Sequence, residues 1–335
     1  MIVVAGHLCL DIIPAIGTGS SLQPGHLVEV GPANIATGGA VSNVGIALHK
    51  LGTPVRLIGK VGQDAFGGLV LDVLRKYGAD EFIIKDPQGE TSYTIVVSSA
   101  GQDRMFLHCP GSNDTFIASD VSDASLNAAS HLHFGYPSLM ASMSANGGEE
   151  TESLFKRAKA IGLTTSLDMS YPDVSSIQGL VDWPSLLDSV LRHVDVFLPS
   201  EPELSFMLPN VFGGVEALAS ACLTMGTGVV VIKRGTDGLF AQSAGADRLG
   251  SIGRYVDSNE WANQRLTQSI YPVEVVGTTG AGDTTIAGFL YGLVSGFTFQ
   301  KCLAAGCAVG AMSVEGPDAV SGIMPWNDVA KRFGF

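Results

Sequence analysis

Thr278-Thr-Gly-Ala-Gly-Asp-Thr284 lies between an extended apolar run, Tyr271-Pro-Val-Glu-Val-Val276, and a helix-forming run, Thr284-Thr-Ile-Ala-Gly-Phe-Leu-Tyr-Gly-Leu293. The small residues Gly280, Ala281 and Gly282 let backbone N–H groups approach a ligand closely. The first turn of the helix that follows leaves its own N–H groups unpaired at the positive end of the helix dipole. Phosphate oxygens suit such a turn. Asp283 adds a carboxylate that would repel a bound phosphate, and its presence is explained if it accepts the proton of a hydroxyl attacking that phosphate. The stretch reads as phosphoryl transfer at a strand-to-helix junction; the plain alternative for Asp283 is a helix N-cap.

Outward from this junction the chain keeps alternating short apolar runs with helical patterns. The runs 2–5, 55–58, 131–134, 164–168, 194–198 and 229–232 predict buried parallel strands. Between them, 64–77 predicts a helix capped by Asp64 and ended by Gly78, and 149–161 one closed by Gly162. Strand and helix alternating over the whole length imply an α/β fold built on a doubly covered, mainly parallel sheet. Three runs break the rhythm: 27–30, flanked by Gly25 and Gly31-Pro32, and the pair 91–97 and 104–108 around a turn at 100–103. They predict antiparallel ribbons. No linker divides the chain, so the expectation is one domain, 1–335, with a small β lid from inserted segments at about 12–36 and 90–112.

The 335 residues are 46% hydrophobic, enough for a large buried core. A net charge of −13, with only 19 Lys and Arg together, argues against nucleic acid or an anionic membrane as partner and for a small molecule. The five cysteines are scattered and odd in number, as free thiols in a reducing compartment would be, and Cys302 and Cys307 have no zinc-type partner pair. The first residues lack a signal-peptide pattern and no apolar run approaches about eighteen residues, so a cytoplasmic protein is expected.

A second glycine site, Gly38-Gly39-Ala-Val-Ser-Asn43, opens the amphipathic run 44–51. Paired glycines bring bare backbone against a ligand, and the amide of Asn43 both donates and accepts, as a sugar hydroxyl requires. A helix start with a satisfied polar residue would look the same. Asp11 follows the first strand, where ligands gather at the carboxyl ends of strands in open α/β sheets. It is placed either to hold two neighbouring hydroxyls or as a solvated loop aspartate.

Gly6 with Asp11, Gly38-Gly39 with Asn43, and the late Gly-Ala-Gly-Asp together resemble the PfkB or ribokinase family of ATP-dependent carbohydrate kinases, over essentially the whole chain. The resemblance implies a ribokinase-like fold with a β lid and transfer of the ATP γ-phosphate to a sugar hydroxyl. Asp283 would be the base, Gly280, Ala281 and Gly282 the anion hole, and Asp11, Gly38, Gly39 and Asn43 the sugar side. Lys233-Arg-Gly235-Thr-Asp-Gly238 fits the family's nucleotide turn, with Thr278 beside it, although Lys233 also suits a solvated strand end. Ser200-Glu-Pro-Glu203 matches the family's Asn-x-x-Glu element in part. There Glu203 would orient Mg²⁺ through water, with Glu201 as competitor and an acidic helix start as the plain alternative. Small residues at 303–306 leave room for an adenine ring or for close helix packing. Gly277 stands where relatives carry an acidic residue tied to a monovalent cation, so potassium dependence is not implied. Lids of this family often pair, which makes a homodimer through the lid an expectation; Arg104 and His108, with Phe106 between them, are placed on the lid either to close over the sugar or simply to alternate along an exposed ribbon.

Competing classes fit less well. The Rossmann fingerprint fails at Thr285, and Gly-x-x-x-x-Gly-Lys-Ser/Thr is absent. A nucleoside kinase of the same family and a non-catalytic sugar sensor on the same fold stay open. Asp168-Met-Ser-Tyr-Pro172 lacks the arginine of the Asp-x-Asn-x-Arg element that relatives acting on 2-keto-3-deoxygluconate, and some acting on fructose, tend to carry, which removes a carboxylate clamp and points to a neutral sugar such as ribose or fructose.

Overall fold

The computed structural model describes residues 1–17, 24–97, 105–253 and 255–335. In chain order the strands among them are β1 (Ile2–Gly6), β2 (Cys9–Pro14), β3 (Ala33–Gly38), β4 (Val55–Ile58), β5 (Lys60–Gly62), β6 (Ile84–Asp86) and β7 (Tyr93–Val97), followed by β8 (Met105–Cys109), β9 (His131–Gly135), β10 (Thr164–Asp168), β11 (Val196–Phe197), β12 (Val229–Lys233), β13 (Leu239–Ser243) and β14 (Arg265–Gln268). Eight of them form one sheet in the order β14-β13-β12-β11-β10-β9-β1-β4. The run from β4 to β12 is parallel, and β13 and β14 close the edge antiparallel.

Both faces of this sheet are covered, and the sequence shows why. Successive strand side chains point to opposite faces, so Ile2 and Val4 enter one apolar core while Val3 and Ala5 enter the other. Val229 and Val231 separate from Val230 and Ile232 in the same way. Helices Ala40–Lys50, Ala281–Val294 and Phe299–Val314 supply the first core; Glu149–Ala160, Trp183–Leu191 and Gly214–Thr224 supply the second. Because the central strands run parallel, their carboxyl ends meet at one edge, where Gly6, Gly135 and Asp168 are neighbours in register. Gly6 has φ +125°, and a Cβ there would collide with the Gly135 carbonyl, so two core strands can end this close together only without that side chain.

A separate four-stranded sheet, β3-β2-β7-β8, stands over that edge, with β2–β3 and β7–β8 antiparallel and β2–β7 parallel. β5 and β6 form a short parallel pair. Asp64 caps the helix Ala65–Arg75, its carboxylate accepting from Gly67 N at 2.7 Å, and Gly162 ends Glu149–Ala160 with φ +80°.

Several boundaries differ from the sequence expectation. Residues 27–30 form no strand: Leu27 is 96% exposed, and the ladder goes instead to Ala33–Gly38, whose mixed composition is overridden by pairing with β2. Residues 271–276 form no strand; Val275 and Val276 are exposed, and the Val276 N–H donates instead to the Val314 carbonyl at 2.7 Å. The run 194–198 contributes only Val196–Phe197 to the ladder. The helix after the late glycine turn starts at Ala281, three residues earlier than its apolar pattern. The turn 100–103 and Arg104 lie outside the described residues.

Candidate active site

Asp283 sits in the first turn of helix Ala281–Val294, whose N-cap is Gly280 at φ +73°. It is 3% exposed, and both of its oxygens are engaged: Asn43 Nδ2 donates to Oδ2 at 2.8 Å and the Tyr136 hydroxyl donates to Oδ1 at 2.6 Å. Capping of its own helix is therefore not what this carboxylate does. Gly280 has to be glycine twice over, for its left-handed backbone and because a Cβ would collide with Ala319. Burial pushes the Asp283 carboxyl above the ordinary carboxylate range, while the bonds from Tyr136 and Asn43 and the charge of Lys233 pull it back.

On one side of Asp283 the small sheet meets the core. Asp11 lies within β2, its carboxylate against the Cα of Gly38, where a Cβ would collide with it, and Cys9 Sγ donates to its Oδ1 at 3.4 Å. Gly39, at φ +84°, passes against the His7 carbonyl and ring. Asn43, on helix Ala40–Lys50, joins this group to Asp283 and keeps a buried Oδ1 with no hydrogen-bond partner. His108 on β8 reaches down so that its Nε2 is 3.3 Å from His7 Nε2, and its Nδ1 is 3.0 Å from Thr94 Oγ1. Asp11, Gly38, Gly39 and Asn43 thus come together as expected, with His7 and His108 added.

On the other side opens a cavity of about 870 Å³, lined by Lys233, Gly235, Gly238, Thr278, Gly280 and Gly282 among others. Lys233 is not the solvated strand-end lysine of the plain alternative. It is mostly buried and pairs with Asp168 Oδ1 at 2.6 Å, and a Cβ on Gly282 would sit 3.8 Å from its Nζ. Burial opposes the Lys233 charge, but Asp168, Glu203 and Asp283 outweigh it and hold its pKa above the usual lysine value. A fixed cation therefore lies beside the glycine turn.

Ser200 caps helix Glu201–Met207 in a capping box with Glu203, whose Oε2 accepts from Ser200 N at 2.6 Å. Glu201 pairs with Arg234 at 3.0 Å, whereas Glu203 faces Lys233 and Asp283. Among the described residues no three His, Cys, Asp or Glu are grouped to hold a metal ion by themselves. At 303–306, Gly306 packs against the Thr285 carbonyl, which is the helix-packing outcome, and Cys307, Gly310 and Ala311 line the cavity instead. Gly277 offers no carboxylate; its N–H donates to the Val314 carbonyl at 3.1 Å.

Two groups at the site were not expected there, and a third was placed otherwise. Tyr136 and His7 directly follow the glycines that end β9 and β1, and Asp168, singled out only for its neighbours' bearing on substrate, is the partner of Lys233. Position at the carboxyl end of a core strand was the available signal for all three.

A buried carboxylate at a helix N-terminus, between a polar group on one side and a large glycine-lined cavity on the other, is an arrangement for joining two ligands. Comparison with known proteins agrees. Fructokinase-1 of Oryza sativa subsp. japonica is 26% identical over 303 residues, 88% of this chain and 83% of that protein. The 2-dehydro-3-deoxygluconokinase of Bacillus subtilis is 25% identical over 316 residues, 89% and 87% of the two chains. Among solved structures, Arabidopsis thaliana ribokinase complexed with ribose and ATP shares the fold with a TM-score of 0.77 at 22% identity, covering 100% of this chain and 98% of that one. The model of the pfkB family carbohydrate kinases matches residues 1–327, and the chain belongs to that family.

Proposed function

We propose that this enzyme transfers the γ-phosphate of ATP to a hydroxyl of a small neutral sugar, with Asp283 as general base and Gly280, Ala281 and Gly282 as the anion hole. The observation that carries this reading is the place of Asp283: buried, at the start of a helix, touching Asn43 on the polar side and bordering the 870 Å³ cavity on the other. The sugar would lie between Asp11, Gly38, Gly39 and Asn43. Asp11 would accept from two hydroxyls, and the unpartnered Asn43 Oδ1 would take a third. The nucleotide would fill the cavity along Lys233, Gly235, Gly238 and Thr278, an assignment supported by their shared lining and by the structural relative that holds ATP.

In the transfer, the attacking hydroxyl oxygen bonds to the γ-phosphorus as the bond to the bridging oxygen of ADP breaks, and the hydroxyl proton passes to Asp283. Lys233 and the backbone N–H groups of the glycine turn would stabilise the charge on the migrating group. Asp283 works chiefly by position, since burial raises its proton affinity only against two opposing hydrogen bonds. Mg²⁺ keeps much of its water when bound and needs only one or two carboxylates beside phosphate oxygens. Glu203, a partly buried carboxylate facing Lys233 and Asp283, fits that demand and would hold the ion through water, where it would neutralise phosphate charge.

The small sheet, bearing Asp11 and His108, would act as a lid that excludes water from the γ-phosphate. A neutral acceptor is favoured because Asp168-Met-Ser-Tyr-Pro172 supplies no arginine and Asp11 would repel a sugar acid. A cytoplasmic location, where ATP is plentiful, belongs to the same proposal. ATP turnover measured over a panel of sugars, sugar acids and nucleosides, beside Asp283→Asn, tests it. Turnover of a neutral sugar that falls at least ~10³-fold in Asp283→Asn is expected. Preference for 2-keto-3-deoxygluconate would overturn the neutral-sugar assignment, preference for a nucleoside would favour nucleoside kinase activity, and binding without turnover in the parent enzyme would favour a sensor.

A further inference from the structure

The geometry points to Tyr136 as the positioning residue of the catalytic carboxylate: its hydroxyl fixes the plane of Asp283 and keeps it available as a base. The inference rests on Asp283 being that base. Its first support is the bond itself, 2.6 Å from the Tyr136 hydroxyl to Oδ1, which with Asn43 on Oδ2 leaves the carboxylate no free rotation. The second is the backbone. Tyr136 is one of the few non-glycine residues with positive φ, at φ +66° and ψ +42°, and the residue after it is proline, which narrows its choices further. An aromatic residue is held in this conformation only where its surroundings insist on it. Here its N–H donates to the Asp168 carbonyl at 3.1 Å, and its ring packs against His7 at 5.9 Å between centroids.

The direction of the hydrogen bond is also fixed. Burial, with the charges of Asp283 and Asp168, holds the Tyr136 phenol well above its ordinary pKa, so the hydroxyl keeps its proton and donates. The groups facing Asp283 from the packed elements are Asn43, Lys233, Asp168 and Glu203, with Asp11 and Cys9 farther along β2. Of these, Asn43 and Lys233 favour the ionised base and the carboxylates oppose it. Tyr136 adds the second direct donor. Without it the carboxylate gains a proton more readily and can turn away from the acceptor hydroxyl.

Tyr136→Phe keeps the ring and removes only the donor. Expected are a kcat about 10-fold or more below the parent, from loss of a hydrogen bond to a charged group, and an acid limb of the kcat–pH profile moved upward by about one unit at saturating sugar. The Michaelis constants should stay within about 3-fold. Calorimetric binding of ATP and sugar shows that the variant is folded. In an Asp283→Asn background Tyr136→Phe should cost little more in residual rate, because the two residues act as one unit. An unchanged kcat and acid limb would overturn the inference, as would losses that add fully in the double variant, or a rise in the sugar KM without a moved acid limb. A normal kcat in Asp283→Asn would instead remove the base assignment itself.

Discussion

Asp11 is the site residue with the clearest pH signature. Burial lifts its carboxyl from 3.8 to about 6, and the neighbouring charge of Asp283 adds to the shift. The folded protein therefore binds a proton on Asp11 between those values that the unfolded chain has already lost, so this group's contribution to stability is full below pH 3.8 and is lost as pH rises through 6. Near pH 7 the ionised carboxylate costs about 2 to 3 kcal/mol. Asp11→Asn is expected to raise Tm at pH 7 while weakening sugar binding at least ~10-fold, the exchange of stability for function found at binding sites. Calorimetric Kd values for the sugar alone, from about pH 5 to 8, should fall as pH rises in the parent and stay flat in the variant. A parent Kd that ignores pH would show that the ionised carboxylate is not what holds the sugar. Lys233 tests the other side. Lys233→Met strands the buried Asp168, at a cost of about 3 to 5 kcal/mol, and Lys233→Met/Asp168→Asn should restore most of the lost Tm but not the KM for ATP. Recovery of ATP affinity in the double variant would remove Lys233 from the nucleotide site.

At the scale of elements, the helix Ala281–Val294 offers a matched comparison. Gly280 and Gly296 flank its two ends with nearly the same left-handed backbone, φ +73° and +74°, but a Cβ at 280 meets Ala319 whereas at 296 nothing lies within 4 Å. Alanine at either position carries the backbone strain of about 1 kcal/mol. Only Gly280→Ala should also cut kcat, by about 10-fold or more, because it moves the N–H groups and Asp283 relative to a phosphate. Equal activities in the two variants, measured beside their Tm values, would show that the turn's geometry is not catalytic. The same helix shows what a sequence makes legible at this scale. Gly280-Ala-Gly-Asp283 and Gly38-Gly39 with Asn43 could be read because small residues and one polar group in a row have few other uses. Tyr136 was marked only by its place after a core strand, since Gly-Tyr-Pro there looks like any turn until β9, β10 and the helix are assembled around it. The runs 27–30 and 271–276 misled for a related reason. Apolar, strand-forming residues show that a segment can join a sheet, but the neighbours it meets in the folded molecule decide whether it does.

The molecule as a whole sets a large sheet covered on both faces beside a small, partly exposed one. Parallel strands with residues buried on both faces announced the large sheet in the sequence; of the small sheet the local pattern announced only the β7–β8 ribbon, whereas its joining to β2 and β3 is not encoded locally. Its outer strand is also its least buried: Met105, Phe106 and Leu107 are each more than half exposed, and His108 joins it to His7 on the core. Such an element opens at lower free energy than the core strands do. If it closes over the sugar, sugar together with a non-hydrolysable ATP analogue should slow amide exchange in β7 and β8 at least ~10-fold, with little change in β9 and β10, and His108→Ala should weaken that protection. A pairing of two lids predicts a different pattern, in which β8 is protected without ligand and increasingly so as protein concentration rises, because an apolar edge strand is then covered by its own copy. Protection that neither ligand nor concentration changes would mean the small sheet is a fixed wall of the site, and water would then have to be kept from the γ-phosphate by the sugar alone.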